Sequence, residues 1–103
     1  MEAWEVYGTI FRMTPIPGKE QEVYAIFEEW GKDLQSNIEG AVAGYVMRPD
    51  TYTGVLIAVA MFESKESYES NGKDPAQGEW FAKLRAVLQS DPDWEDGEYM
   101  VVR

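Results

Sequence analysis

One stretch limits what this chain can become. An unbroken apolar run, Val55-Leu56-Ile57-Ala58-Val59-Ala60-Met61, is followed at once by two helix starts. Its β-branched bias and strand length suit a strand covered on both faces. Ser64 is suited to cap a short helix that runs to Asn71, where Gly72 interrupts. Asp74-Pro75 then opens a second helix, with proline at its first position and Gln77 able to reach back to the cap. Trp80, Phe81, Leu84, Val87 and Leu88 fall on one stripe of that helix, and Asp91-Pro92 ends it.

The segments around this core are simpler. Val6 to Thr14 reads as a strand, with Tyr7, Thr9, Phe11 and Met13 on one face and Val6, Gly8, Ile10 and Arg12 on the other. Pro15 and Pro17-Gly18 end it. A helix follows, with Val23, Ile26, Phe27, Trp30 and Leu34 at helical spacing, and Asn37 and Gly40 suit its exit. Ala41 to Arg48 is a second strand. Pro49 to Gly54, with proline and glycine at its ends, turns the chain into the third strand, Gly54 to Phe62. Trp94 to Gly97 reads as a loop and Glu98 to Val102 as a last strand.

The order is strand, helix, strand, strand, helix, strand. Right-handed crossovers close it into an α+β, ferredoxin-like βαββαβ arrangement: a four-stranded antiparallel sheet with helices on one face. With 103 residues the expectation is one domain spanning the chain. Helices on one face leave Ile57, Val59 and Met61 uncovered. An exposed apolar patch of that kind marks an interface, so a homodimer joined sheet to sheet is expected.

Composition removes several functions. Nineteen acids against nine bases give a formal charge of −10. Such a field repels phosphate backbones, so no nucleic-acid partner is expected. No apolar run reaches membrane-spanning length, so no membrane partner is expected either. The start, Met1-Glu2-Ala3-Trp4-Glu5, lacks the features of a secretory signal, which makes the cytoplasm the expected compartment. The chain has no cysteine and no histidine. Disulfides, thiolate chemistry, the usual haem ligand and the commonest general base are therefore missing. Glu28 and Glu29 are neighbours on a helix and diverge, so they do not make a metal site, and no metal is expected.

Parity suggests where a ligand would sit. If Phe62 and Ala58 face the helices, so do Ala60 and Leu56. Two alanines leave room, and the helices can offer Phe27, Trp30, Tyr68, Trp80 and Phe81 opposite them. This describes either a pocket for a flat apolar molecule or a core in which the large helix residues fill the space. Asn71 is either a helix cap or a pocket residue. Arg12 and Arg48 are available to pair with acids or to bind an anion. Trp4 and Trp94 read as packing residues, and the facing of Tyr45 is open.

The motif F-E-S-x-E-x-Y followed by N-G-x-D-P occupies Phe62-Glu63-Ser64, Glu66, Tyr68, Asn71-Gly72 and Asp74-Pro75. With the element order, it resembles the antibiotic biosynthesis monooxygenase domain of the dimeric α+β barrel superfamily, over nearly the whole chain. The resemblance implies a dimeric α+β barrel with a site between sheet and helices. It implies oxygenation of aromatic phenols to quinones without metal, flavin or other cofactor, or haem degradation. Tyr68 matches the substrate-contacting tyrosine of the quinone-forming members. Phe62 stands where they have a tryptophan, Ala58 where they have an asparagine, and Phe81 about where they have an arginine. The haem degraders need a histidine that this chain lacks, and Phe11 lies near the position of their asparagine.

Two functions follow as expectations. One is a cofactor-independent monooxygenase acting on a small aromatic or enolic substrate, with Tyr68 as the catalytic residue donating a hydrogen bond. Its substrate would lie among Phe11, Phe27, Trp30, Ala58, Ala60, Phe62, Asn71, Trp80 and Phe81. Its base would be a carboxylate, a lysine or the substrate itself. The other is a non-enzymatic dimeric module that binds a small apolar molecule. An isomerase on the same fold is a third reading.

Overall fold

The computed structural model describes residue 4, residues 6–36 and residues 38–102, with the side chains of residues 33–36 left aside. Leu34 of the predicted helix stripe and Asn37 at its exit lie outside that description.

The chain runs β1 (Val6–Met13), α1 (Glu20–Ser36), β2 (Ala41–Met47), β3 (Leu56–Phe62), α2 (Lys65–Lys73), α3 (Pro75–Ala86) and β4 (Asp93–Tyr99). The sheet order is β2-β3-β1-β4, and each neighbouring pair is antiparallel. This is the α+β ferredoxin-like sheet expected, with the second helical segment split in two.

The split falls at Asp74. α2 continues through Gly72, and the chain breaks two residues later than the glycine suggested. The reason is Pro75, which disfavours helical geometry at the residue before it. Asp74 sits at φ −71°, ψ 127°, and it ends one helix while starting the next. Its N–H bonds the Asn71 carbonyl at 3.1 Å, and its Oδ1 accepts from the Ala76 N–H at 2.9 Å. Ser64 caps α2 by accepting from the Ser67 N–H at 3.1 Å.

The last strand departs most from expectation. It spans Asp93–Tyr99, so the stretch read as a loop is a strand, and Met100 to Val102 lie beyond it. Its sequence, Asp-Trp-Glu-Asp-Gly-Glu-Tyr, is rich in residues that strands disfavour. Pairing with β1, from Val6 opposite Tyr99 to Arg12 opposite Asp93, holds it in place. Acidic residues on an edge strand also discourage pairing with another chain.

Register assigns the two faces. Tyr7, Thr9, Phe11 and Met13 of β1 share the helix side with Phe62, Ala60, Ala58 and Leu56 of β3. On this side Leu56, Ala58, Val23 of α1 and Leu84 of α3 are all but inaccessible, and Phe11, Met13 and Leu88 complete the cluster. Each fully buried leucine stabilises the fold by about 1.5–3 kcal/mol. The opposite side carries Ile57, Val59 and Met61, with Tyr45 opposite Val59 and Met47 opposite Ile57. Tyr45 is 66% exposed and Met47 51% exposed.

Candidate functional site

Beside the closed core, the helix side of the sheet opens into a cavity of about 660 Å³. It lies toward the Ala60 and Phe62 end of β3. Two features of the chain keep it open. Ala60 projects only a methyl group, and Gly44, opposite Ala60 on β2, has no side chain. A Cβ at Gly44 would collide with the six-membered ring of Trp30, so glycine lets that indole lie on the strand.

The walls are aromatic and form one continuous set. Phe11 stacks against Phe27 with ring centroids 6.2 Å apart, and Phe27 meets Trp80 edge-on at 5.3 Å. Trp80 reaches Trp30 at 6.0 Å. Trp94 of β4 lies 4.2 Å from Phe11 and 5.8 Å from Phe81. Trp80 is fixed further by donating Nε1–H to the Ile26 carbonyl at 3.1 Å. Trp30 is 8% exposed, and its buried Nε1 has no hydrogen-bond partner among the described residues. A buried donor of this kind is usually satisfied by something, and an oxygen of a bound molecule would serve.

Tyr68 approaches from α2. Its ring meets Phe62 edge-on at 5.5 Å and lies 5.4 Å from Tyr7. Its hydroxyl donates to Asp96 Oδ1 at 2.9 Å. Burial first, then the Asp96 carboxylate, push the Tyr68 phenol up to about 12, while the Thr9 hydroxyl pulls the other way. Tyr68 therefore stays protonated at neutral pH, with its proton directed at Asp96. Its oxygen keeps lone pairs for an approaching O–H or N–H. Thr9 is 2% exposed, and its hydroxyl donates to the Glu95 carbonyl at 3.1 Å across to β4.

Of the residues singled out in the sequence, Phe11, Phe27, Trp30, Ala60, Phe62, Tyr68, Asn71, Trp80 and Phe81 line this cavity. Ala58 does not. It is 1% exposed and belongs to the closed core with Leu56, Leu84 and Val23. Parity put Ala58 on the correct side, but aliphatic helix residues fill the space above it. The hydroxyl of Tyr68 differs from expectation too, because the hydrogen bond assigned to a ligand is donated to Asp96 instead. Asp96, Thr9 and Trp94 were not foreseen as site residues. Thr9 shares its face with Phe11, which was a usable signal. Trp94 and Asp96 gave none, because their acidic strand reads as a loop.

Glu28 of α1 and Glu69 of α2 also line the cavity and are exposed. Among the described residues no group of three or more acids holds metal-binding geometry, and no helix is long and apolar enough to cross a membrane.

No family model and no curated relative matches the sequence. Solved structures do match the fold. A protein from Caulobacter crescentus, provisionally named an antibiotic biosynthesis monooxygenase, superposes with a TM-score of 0.82 at 16% identity, covering 95% of this chain and 92% of that one. One from Chloroflexus aurantiacus, under the same provisional name, gives 0.70 at 21% identity, covering 95% and 94%. SnoaB from Streptomyces nogalater, a cofactor-independent oxygenase, gives 0.75 at 16% identity, covering 96% and 95%. The chain therefore has the α+β fold seen in structures named as antibiotic biosynthesis monooxygenases.

Proposed function

We propose that this chain is a cofactor-independent monooxygenase that takes a flat aromatic or enolic molecule into the aromatic cavity. The observation that carries this reading is the placement of the Tyr68–Asp96 pair beside those walls. The sequence offered no histidine base, and Asp96 supplies a proton acceptor. A substrate hydroxyl donates to Tyr68 Oη while the Tyr68 proton passes to Asp96 Oδ1. The substrate anion then reduces dioxygen. One oxygen atom ends on a ring carbon as a carbonyl, and the other leaves as water with two hydrogens from the substrate. The walls hold the ring in place and keep bulk water from it.

The test is oxygen uptake with a panel of polycyclic phenols in the presence of a chelator and without added flavin. Quinone should form with one dioxygen consumed per turnover. Asp96→Asn should lower the rate by about a hundredfold or more, the scale of a lost general base. Tight phenol binding without oxygen uptake would favour the second reading, a non-enzymatic binding module. One observation supports that alternative: among the described residues the cavity lining contains no lysine or arginine to steady a substrate oxyanion.

The open sheet face supports a homodimer. Ile57, Val59 and Met61 run down its centre, flanked by the exposed Tyr45 and Met47. A second copy laid face to face covers them. Val59→Glu buries an unpaired charge in that arrangement and should convert a dimer to a monomer in sedimentation. A wild-type monomer at micromolar concentration would refute the assembly and leave the cavity reading untouched. The absence of histidine and cysteine argues against tight haem binding.

A further inference from the structure

We propose that the aromatic cavity selects ligands by charge, taking an aromatic molecule that carries a protonated amine in preference to a neutral one, and excluding carboxylates. This rests on the reading of the cavity as a site for flat aromatic molecules and names their class. Three independent features point the same way. The first is the wall itself: faces of tryptophan, tyrosine and phenylalanine attract cations through their electron-rich rings. The second is the charged complement of the lining. Among the described residues it contains Glu28 and Glu69, one from each of two helices, and no basic residue. Neither carboxylate has a salt-bridge partner among the described residues; Lys19, Lys83 and Arg85 pair with Glu22, Glu29 and Asp91 instead. The third is Asp96, a further carboxylate held 2.9 Å from the Tyr68 hydroxyl.

The chemistry is consistent with the reaction proposed above. Surroundings that hold the Tyr68 phenol up to about 12 resist negative oxygen. A ligand that enters with its own positive charge offsets the part of that resistance that comes from the Asp96 carboxylate and makes its hydroxyl easier to deprotonate. A ligand that enters as a carboxylate meets like charges instead.

A naphthalene series matched in shape tests this: the aminomethyl, hydroxymethyl and carboxymethyl compounds, each titrated by calorimetry at neutral pH. The amine should bind tightest and the carboxylate weakest, with about tenfold or more between them. High salt should narrow that range. The double variant Glu28→Gln, Glu69→Gln should bring the amine down toward the alcohol. The double variant Asp50→Asn, Glu79→Gln removes the same charge from positions outside the lining and should leave the preference in place. If the carboxylate binds as well as the alcohol, or loss of both glutamates leaves the amine preference undiminished, the charge selection is refuted. If none of the three binds, the cavity is not an aromatic site, and the underlying reading fails with it.

Discussion

Two alanines two residues apart on one strand face end up in different worlds. Ala58 is buried in the closed core with Leu56 and Phe11 beside it in the sheet and Val23 and Leu84 from the helices, while Ala60 lines an aromatic-walled cavity. The strand supplies the same small side chain at both places, so the difference comes from what stands opposite. Over Ala58, α1 and α3 contribute branched aliphatics that adapt to the space. Over Ala60, they contribute rigid rings that brace one another and leave a gap between them. Braced rings cannot collapse into space as leucines do, and this keeps a cavity open in a small fold.

The comparison can be broken at its closed end first. Leu84→Ala empties part of the core and should cost about 2–5 kcal/mol of unfolding free energy, read from urea melts. Binding of aromatic ligands to the folded protein should survive. An equal loss of both would mean that the two ends are one packing unit.

Exchanging the same substitution between the two alanines sharpens it. Ala58→Leu overpacks a filled core and should cost about 1–3 kcal/mol. Ala60→Leu fills empty space, so stability should hold or rise by about 0.5–2 kcal/mol, while ligand binding is lost. If Ala58→Leu blocks the ligand and Ala60→Leu does not, the cavity lies at the wrong end.

The smallest effect concerns Tyr68. Tyr68→Phe should weaken binding of hydroxylated ligands by about 0.5–1.5 kcal/mol relative to their hydroxyl-free analogues. It should also change the alkaline limb of stability. The folded-state value near 12 exceeds the ordinary tyrosine value of 10.0. Above pH 10 the unfolded chain loses this proton before the folded one does, so stability falls as pH rises from 10 toward 12. The variant should fall less steeply over that window. An unchanged slope would place Tyr68 in water rather than beside Asp96.

The fold was legible wherever side-chain pattern and backbone chemistry agreed. Proline, glycine and capping residues marked Ser64 and Asp74-Pro75, because those effects are local. The continuous apolar run of β3 announced a strand with two faces to cover. β4 was misplaced for the converse reason: its stability comes from hydrogen bonds to β1, a partner more than eighty residues away, and its own residues oppose it.

The sequence by itself determined the element order, the parity of β1 and β3, the aromatic supply of the helices, and the lack of histidine and cysteine. These follow from spacing and composition, which act within a few residues. Only the tertiary structure decided which alanine lies in the closed core and which lines the cavity, that Gly44 yields its place to Trp30, and that the Tyr68 hydroxyl donates its hydrogen bond to Asp96. Each of those depends on strands and helices distant in sequence meeting at one distance and angle, and no local pattern encodes that meeting.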